Sequence, residues 1–260
     1  MTPTAPPFDA LASGYDASFS DTELGRRYRN AVWRRFPDCF PAGSRVLELN
    51  CGTGTDAVEL ARRGVMVLAT DVAPAMVELT AAKAAANGVA DRVTTRLLDV
   101  VDLGELIGAG PRFDGTLSNF GGLNCVADLA AVAGNLARLL LPGAKALVCL
   151  MGPHVPGEWL WFLAHGQPGK AARRLHSSVF WHGVEIHYPS VGEAQREFRP
   201  AFAVRRTWGL GTFLPPPAAE AWARRHPLLI GALDRLERRA EAWPGVARLA
   251  DHYVLELVRL

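Results

Sequence analysis

The chain contains no C-x-x-C pair and no cysteine with a histidine at metal-ligand spacing. Its four cysteines, Cys39, Cys51, Cys125 and Cys149, are scattered, and Cys51 and Cys149 fall in or beside apolar stretches. They read as small buried hydrophobes of a protein kept in a reducing cytoplasm, and no metal is expected. Neither sign of charge is in excess: 28 Lys and Arg face 26 Asp and Glu, a net charge of +2. With no basic stripe, that balance argues against nucleic acid or a membrane surface as partner. No apolar run reaches the roughly 18 residues of a membrane span. Residues 1–12 hold three prolines and one acid but no apolar core, which excludes a signal peptide there. Internal repeats and low-complexity segments are also lacking.

What is present is a chain of 260 residues, 49% apolar, enough for one α/β domain with an appended element. Its most informative stretch is Val-Leu-Glu-Leu-Asn-Cys-Gly-Thr-Gly at 46–54. A short apolar strand carries the acid Glu48, then runs into Gly52 and Gly54 ahead of a helical run. A glycine turn lets a ligand approach the backbone, and the next helix points its amide donors at that ligand. Read from Gly52, the loop also fits the dinucleotide fingerprint G-x-G-x-x-A, ending at Ala57. Asp71 follows Gly52 by 19 residues, where a ribose ligand is expected in either reading. Glu48 tips the choice. A pyrophosphate is already negative and needs no acid beside it, whereas a cofactor carrying an ammonium and a sulfonium favours one.

Along the chain, apolar strands alternate with helical runs. Strands are expected at Arg45–Asn50, Val65–Thr70, Val93–Leu98, Phe113–Ser118 and Ala144–Met151. Between them lie helices at Asp56–Arg63, from Pro74 to about Ala86, and at Leu129–Leu141, the last stopped by Pro142-Gly143. Ahead of them, Tyr15–Phe36 reads as helical, capped by Asp21 or Thr22. The alternation implies a parallel sheet with helices on both faces and ligands at the strands' carboxyl ends. Polar or glycine residues stand at four successive strand ends: Glu48–Gly54, Asp71, Asp99 and Asn119–Gly122. Four domains of use follow: a 1–40 arm and helix, a 41–151 core, a 152–200 insertion rich in Trp and His, and 201–260 closing the sheet with two strands and helices between.

This order of motifs resembles the class I S-adenosylmethionine-dependent methyltransferases of small-molecule type. The resemblance rests on Leu-Glu-Leu-Asn-Cys-Gly-Thr-Gly (47–54), Ala-Thr-Asp (69–71), Leu-Leu-Asp-Val (97–100), Phe-Asp-Gly-Thr-Leu-Ser-Asn (113–119) and Leu-Leu-Leu-Pro-Gly-Ala (139–144). It implies a Rossmann-like doubly wound sheet of seven strands, order 3-2-1-4-5-7-6 with strand 7 antiparallel, and an insertion after strand 5. The cofactor it implies is S-adenosylmethionine, leaving as S-adenosylhomocysteine. Tyr15 would belong to an arm over the cofactor. Glu48, Asn50, Gly52 and Gly54 would line the methionine end, with Asn50 replacing the usual first glycine. Asp71 would hold the ribose hydroxyls, with Val72 and Met76 beside it. Asp99 and Val100 would meet the adenine, and the backbone at Ser118–Asn119 the ammonium.

For the acceptor, Trp159, Phe162, Trp181 and Tyr188 suggest an aromatic-lined pocket for a small, fairly apolar molecule. If the methylated atom is oxygen, a general base helps, and His182, His187 and His154 are the candidates. In a strand, positions 182 and 187 fall on opposite faces, so at most one enters the pocket. An NAD(P)-dependent oxidoreductase and a non-catalytic cofactor-binding protein are the competing readings. No Tyr-x-x-x-Lys pair supports the former.

Overall fold

The computed structural model describes residues 8–181 and 183–260. Of the expected N-terminal arm, Met1–Pro7 lie outside the described residues, as does the candidate base His182. Strands β1 (Arg45–Leu49), β2 (Met66–Asp71), β3 (Val93–Leu97), β4 (Phe113–Ser118) and β5 (Leu140–Met151) form the parallel part of the sheet. A separate hairpin, β6 (Ser178–Trp181) and β7 (Val184–His187), belongs to the insertion. Strands β8 (Phe202–Leu210) and β9 (His252–Arg259) complete the main sheet. Its order is β3-β2-β1-β4-β5-β9-β8, with β9 antiparallel to both its neighbours. This is the seven-stranded order that the resemblance implies.

The helices are α1 (Asp9–Tyr15), α2 (Glu23–Trp33), α3 (Phe36–Cys39), α4 (Thr55–Arg62), α5 (Pro74–Ala86), α6 (Leu129–Leu139), α7 (Pro156–Ala164), α8 (Pro168–Ala172), α9 (Val191–Phe198), α10 (Glu220–Arg225) and α11 (Pro227–Ala240). Alternation along the strands divides the core. Leu47, Leu49, Val148 and Leu255 pack toward α6 and α9, while Val46, Leu117, Cys149 and Val254 pack toward α2, α4 and α11. Glu48 shares the second face with Val46, so a carboxylate sits in an otherwise apolar layer.

Several boundaries shift by one residue, and two stretches differ by more. The helical run from Tyr15 is broken by a π-turn at Asp16–Ser20, and α2 restarts at Thr22, whose side chain accepts from the Gly25 N–H at 2.9 Å. Helix α6 stops two residues early, and β5 opens at Leu140, paired with Phe113. Pro142 bars helix, and Gly143 at φ 78 turns the strand back into register by Lys145. Among the described residues no helix is long and apolar enough to cross a membrane.

Candidate functional site

The carboxyl ends of β1 and β4 lie side by side where the strand order reverses, the usual ligand crevice of such sheets. Three alternate loop positions take left-handed backbone: Asn50 (φ 52), Gly52 (φ 55) and Gly54 (φ 75). Asparagine tolerates that region better than most residues, so the loop keeps its turn without the usual first glycine. A Cβ on Gly52 would meet nothing within 4 Å, so the space above the loop is open. Gly54 has a different reason to be glycine: a Cβ there would lie 2.6 Å from Thr80 of α5.

Asp71 ends β2 and accepts from the N–H groups of Gly52 at 2.9 Å and Ala73 at 3.0 Å. Burial pushes its carboxyl above the ordinary range, and these donors offset that only in part. Val72 is half-buried beside it, and Met76 packs with Ala12 and Ala73 under Tyr15. Asp99 caps a 3-10 turn at Val100–Leu106, accepting from Val101 N–H at 3.1 Å, while Val100 is buried. Asn119 donates to Asp56 at 3.0 Å, and the Ser118 hydroxyl is buried without a partner among the described residues.

The arm reaches the loop through Asp16. Thr53 donates to one of its oxygens at 2.6 Å and Lys83 of α5 to the other at 2.6 Å, while Lys83 also bonds Thr55 at 2.8 Å. Burial raises the Asp16 carboxyl, but the bonds from Lys83 and Thr53 more than reverse that, leaving it below its ordinary value. This tether therefore stabilises at pH above the unfolded carboxylate value and is lost as pH falls through the lower folded one. Lys83→Ala is expected to cost at most about 1 kcal/mol. It should also speed amide hydrogen exchange across residues 9–20 several-fold, with β1 unaffected.

Sequence reasoning missed a buried polar centre beside Glu48. Arg29 of α2 bonds Asp56 at 2.6 Å and Ser20 at 2.9 Å, and the Trp33 indole N–H also donates to Asp56 at 2.6 Å. Arg29 and Asp56 are 5% and 4% exposed. The Arg29 guanidinium also lies 4.8 Å from the Phe120 ring centroid. The other arginines of α2 and its C-terminal end come in adjacent pairs. Arg29 stands alone on the face shared by Tyr28 and Val32, and that was the available signal. Glu48 is 2% exposed, and its Oε2 makes no hydrogen bond among the described residues. Burial, then the Asp56 charge, drives its carboxyl well above the ordinary range despite Arg29.

The insertion forms a cap. Arg174 is 4% exposed and joins it to the sheet, bonding Glu158 of α7 at 2.7 Å, the Asp251 carboxylate, and the Asp251 carbonyl at 2.9 Å. Phe162 is buried under Lys170 and Arg173, so it packs the cap internally. Trp181 is exposed on the hairpin, its ring 6.1 Å from Phe8 of the arm. Tyr188 lies under Arg174, at 5.6 Å, and Trp159 packs edge-on to His154. His154 is exposed, and His187 on β7 lies 3.8 Å from Glu185, with no buried side-chain partner among the described residues to orient it.

Residues 46–143 match the family described as a methyltransferase domain. The chain is 32% identical over 152 residues to the demethylmenaquinone methyltransferase of Clavibacter sepedonicus, a stretch covering 57% of this chain and 58% of that protein. It thus spans a little over half the length of the curated relatives it matches. Its fold is similar to geranyl diphosphate C-methyltransferase from Streptomyces coelicolor A3(2), with TM-score 0.57, 15% identity and coverage of 89% and 76% of the two chains. It is also similar to an S-adenosylmethionine-dependent methyltransferase from Mesorhizobium loti, with TM-score 0.56, 19% identity and coverage of 89% and 98%. At those identities the likeness is one of fold. Residues 46–143 thus match a methyltransferase domain, and they lie in a sheet of order β3-β2-β1-β4-β5-β9-β8, the order that the resemblance to class I S-adenosylmethionine-dependent methyltransferases implies.

Proposed function

We propose that the protein transfers a methyl group from S-adenosylmethionine to a small, largely apolar acceptor, at oxygen, by in-line displacement. The observation that carries this reading is the pairing of unsatisfied groups of opposite sign beside an open glycine loop. Glu48 Oε2 and Arg29 Nε are both buried without hydrogen-bond partners among the described residues. A buried polar atom left unmatched is costly, so a ligand that satisfies both is favoured. An amino-acid zwitterion does so: its ammonium suits Glu48 and its carboxylate suits Arg29. Ser118 and the backbone at Asn119 add acceptors for the ammonium, Asp71 suits the ribose diol, and Asp99 with the Val100 amide suits the adenine. When bound, the cofactor supplies a methyl group on a sulfonium, whose transfer is downhill. The chain's part is to orient the acceptor and exclude water.

The alternatives are weaker. Dinucleotide-binding sheets run 3-2-1-4-5-6, without an antiparallel strand inserted between the fifth and the last. A buried acid at Glu48 also repels a pyrophosphate. A protein that binds the cofactor without catalysis differs only in turnover with candidate acceptors. Two of the proteins above, the demethylmenaquinone and the geranyl diphosphate methyltransferases, are named for small-molecule acceptors, which supports that class here.

Calorimetry with S-adenosylhomocysteine and NADPH, titrated separately, tests the reading. Wild type is expected to bind S-adenosylhomocysteine at micromolar Kd, and Glu48→Gln to bind it at least about tenfold more weakly, about 1.4 kcal/mol. Binding a cation beside a carboxyl held high by burial drives a proton off. The heat should therefore depend on buffer ionisation, with less than one proton released per site, and Glu48→Gln should abolish that dependence. Asp71→Ala weakens binding too, but it also frees the Gly52 N–H, so Glu48→Gln is the cleaner variant. Without ligand, the raised Glu48 carboxyl makes the fold lose stability as pH rises above the unfolded value near 4.5, and Glu48→Gln should flatten that slope. Binding of NADPH alone overturns the proposal.

A further inference from the structure

The crevice face of the sheet holds a second titratable centre that the cofactor reading leaves unused. β9 runs antiparallel, so its first residue, His252, lies at the edge where β1, β4 and β5 end, paired in register with Met151. Alternation puts His252 on the same face as Val254, and hence on the same face as Glu48. His252 is 6% exposed. Its ring lies edge-on to Phe120 of the β4 loop at 5.8 Å and to Tyr28 of α2 at 6.3 Å. Phe120 itself takes a left-handed backbone, φ 51, and carries the Arg29 guanidinium against its ring. The imidazole is thus one aromatic ring away from the group that suits the cofactor's amino-acid end.

Behind the imidazole stands an oriented carboxylate. His252 Nδ1 lies 3.3 Å from Asp251 Oδ2, in ion-pair range but off the line of a hydrogen bond. Catalytic hydrogen bonds are often long or misaligned before the ligand binds. Arg174 holds the other oxygen of Asp251 and is itself fixed by Glu158, which is 1% exposed. Burial raises the Asp251 carboxyl, but Arg174 and then His252 pull it below the ordinary range, so it stays ionised. The charged and titratable groups around the ring are therefore the adjacent Asp251, Tyr28 from α2, and Arg174 with Glu158 from the cap. The Tyr28 hydroxyl is buried without a partner among the described residues. His252 Nε2 makes no hydrogen bond with any described residue.

We propose that His252 is the base that takes the proton from an acidic hydroxyl, a phenol or enol, of the acceptor, with Asp251 and Arg174 as positioning residues. The proposal rests on the methyl-transfer reading above. The hydroxyl proton passes to Nε2. The electron pair left on oxygen forms the new O–CH3 bond while the S–CH3 bond breaks, its pair staying on sulfur to give the neutral thioether. Asp251 balances the imidazolium that forms, as a buried carboxylate behind a histidine does elsewhere. Phe120 and Tyr28 supply aromatic walls for the ring that bears the hydroxyl. The sequence signal was an Asp-His pair opening the mainly apolar run Tyr253–Leu255 of the final strand, distant in the chain from the insertion where a base was expected.

4-Nitrophenol tests this, since its absorbance reports its own ionisation. The probe is titrated into protein saturated with S-adenosylhomocysteine, in wild type, His252→Gln and Asp251→Asn. Bound to wild type, it should ionise at least one pH unit below its free value, a tenfold larger ionisation constant. In the same sample, imidazole 15N shifts should show His252 becoming the doubly protonated ring as the probe binds. His252→Gln should lose the shift while S-adenosylhomocysteine affinity stays within about twofold, and Asp251→Asn should lose part of it. A probe that binds neutral, ionises equally in His252→Gln, or fails to bind the loaded wild type overturns the proposal. The 15N measurement needs no variant, so a poorly folding mutant does not rescue it. Failure to bind S-adenosylhomocysteine at all would instead refute the methyl-transfer reading, and the proposal with it.

Discussion

Asp56→Ala is expected to destabilise the protein by about 3–5 kcal/mol and to abolish S-adenosylhomocysteine binding. Asp56 accepts from Arg29, Trp33 and Asn119, and both it and Arg29 are buried. Deleting the carboxylate strands a guanidinium in a low-dielectric layer and leaves an indole and an amide donor unmatched. The cost is the penalty of the orphaned charge, not the worth of the pair. For a chain of this size, each kcal/mol lowers Tm by roughly 2–4 °C, so a drop of about 6–20 °C should appear in a thermal melt. The double variant Arg29→Met, Asp56→Leu removes both charges, and most of the stability should return, since apolar replacement of a buried pair is often near neutral. Ligand binding should not return, because Arg29 is gone. A double variant as unstable as Asp56→Ala would show that shape, and not charge burial, sets the cost.

Arg174→Ala is the second large effect, again about 3–5 kcal/mol, read from urea denaturation. It takes the closest cation from two carboxylates at once, leaving Glu158 with Arg173 at 3.1 Å and Asp251 with His252 at 3.3 Å, and the two are only 1% and 2% exposed. Its pH dependence should flatten. In wild type, Asp251 sits below its unfolded value, so its contribution is present above that value and is lost on acidification. Without Arg174, only His252 offsets the burial that raises the Asp251 carboxyl, so that carboxyl moves up toward its unfolded value. The variant should then lose less stability than wild type on acidification. A variant whose stability falls on acidification in parallel with wild type would refute this account of the cap junction.

Much of the fold was legible because two periodicities alternate cleanly from Arg45 to Met151. Apolar strands short enough to cross a sheet are punctuated by Gly and Pro, and Phe113–Ser118 and Pro74–Ala86 fall where the pattern puts them. The antiparallel place of β9 came from the resemblance and not from spacing, since nothing local in residues 252–259 says which neighbours they join. The insertion was legible only as a break in pattern. Its α7, α8 and hairpin are held by contacts to Asp251 and the arm that lie far away in sequence. The same limit applies to the site. Strand-end residues such as Glu48 and Asp71 are announced by their own neighbours. Arg29, Asp56 and His252 become informative only once their burial is known, and burial is a property of the assembled sheet. Histidines in the insertion drew attention by density, yet His154 and His187 lie without the buried carboxylate that His252 has.

The central place of β9 also bears on how the chain is made. β9 is hydrogen-bonded on one side to β5 and on the other to β8, so two strands wait for the same late segment. While the nascent chain grows from the N-terminus, β5 stands complete for about a hundred residues of synthesis with an unpaired edge, and β8 has no sheet to join. Open apolar edges are sites of aggregation, and β5 is buried and nearly all apolar at its centre. A ribosome stalled before residue 252 would therefore expose a sticky edge and hold an incomplete crevice at once. The protein gains its final strand, the closure of its sheet and Asp251-His252 in a single late event.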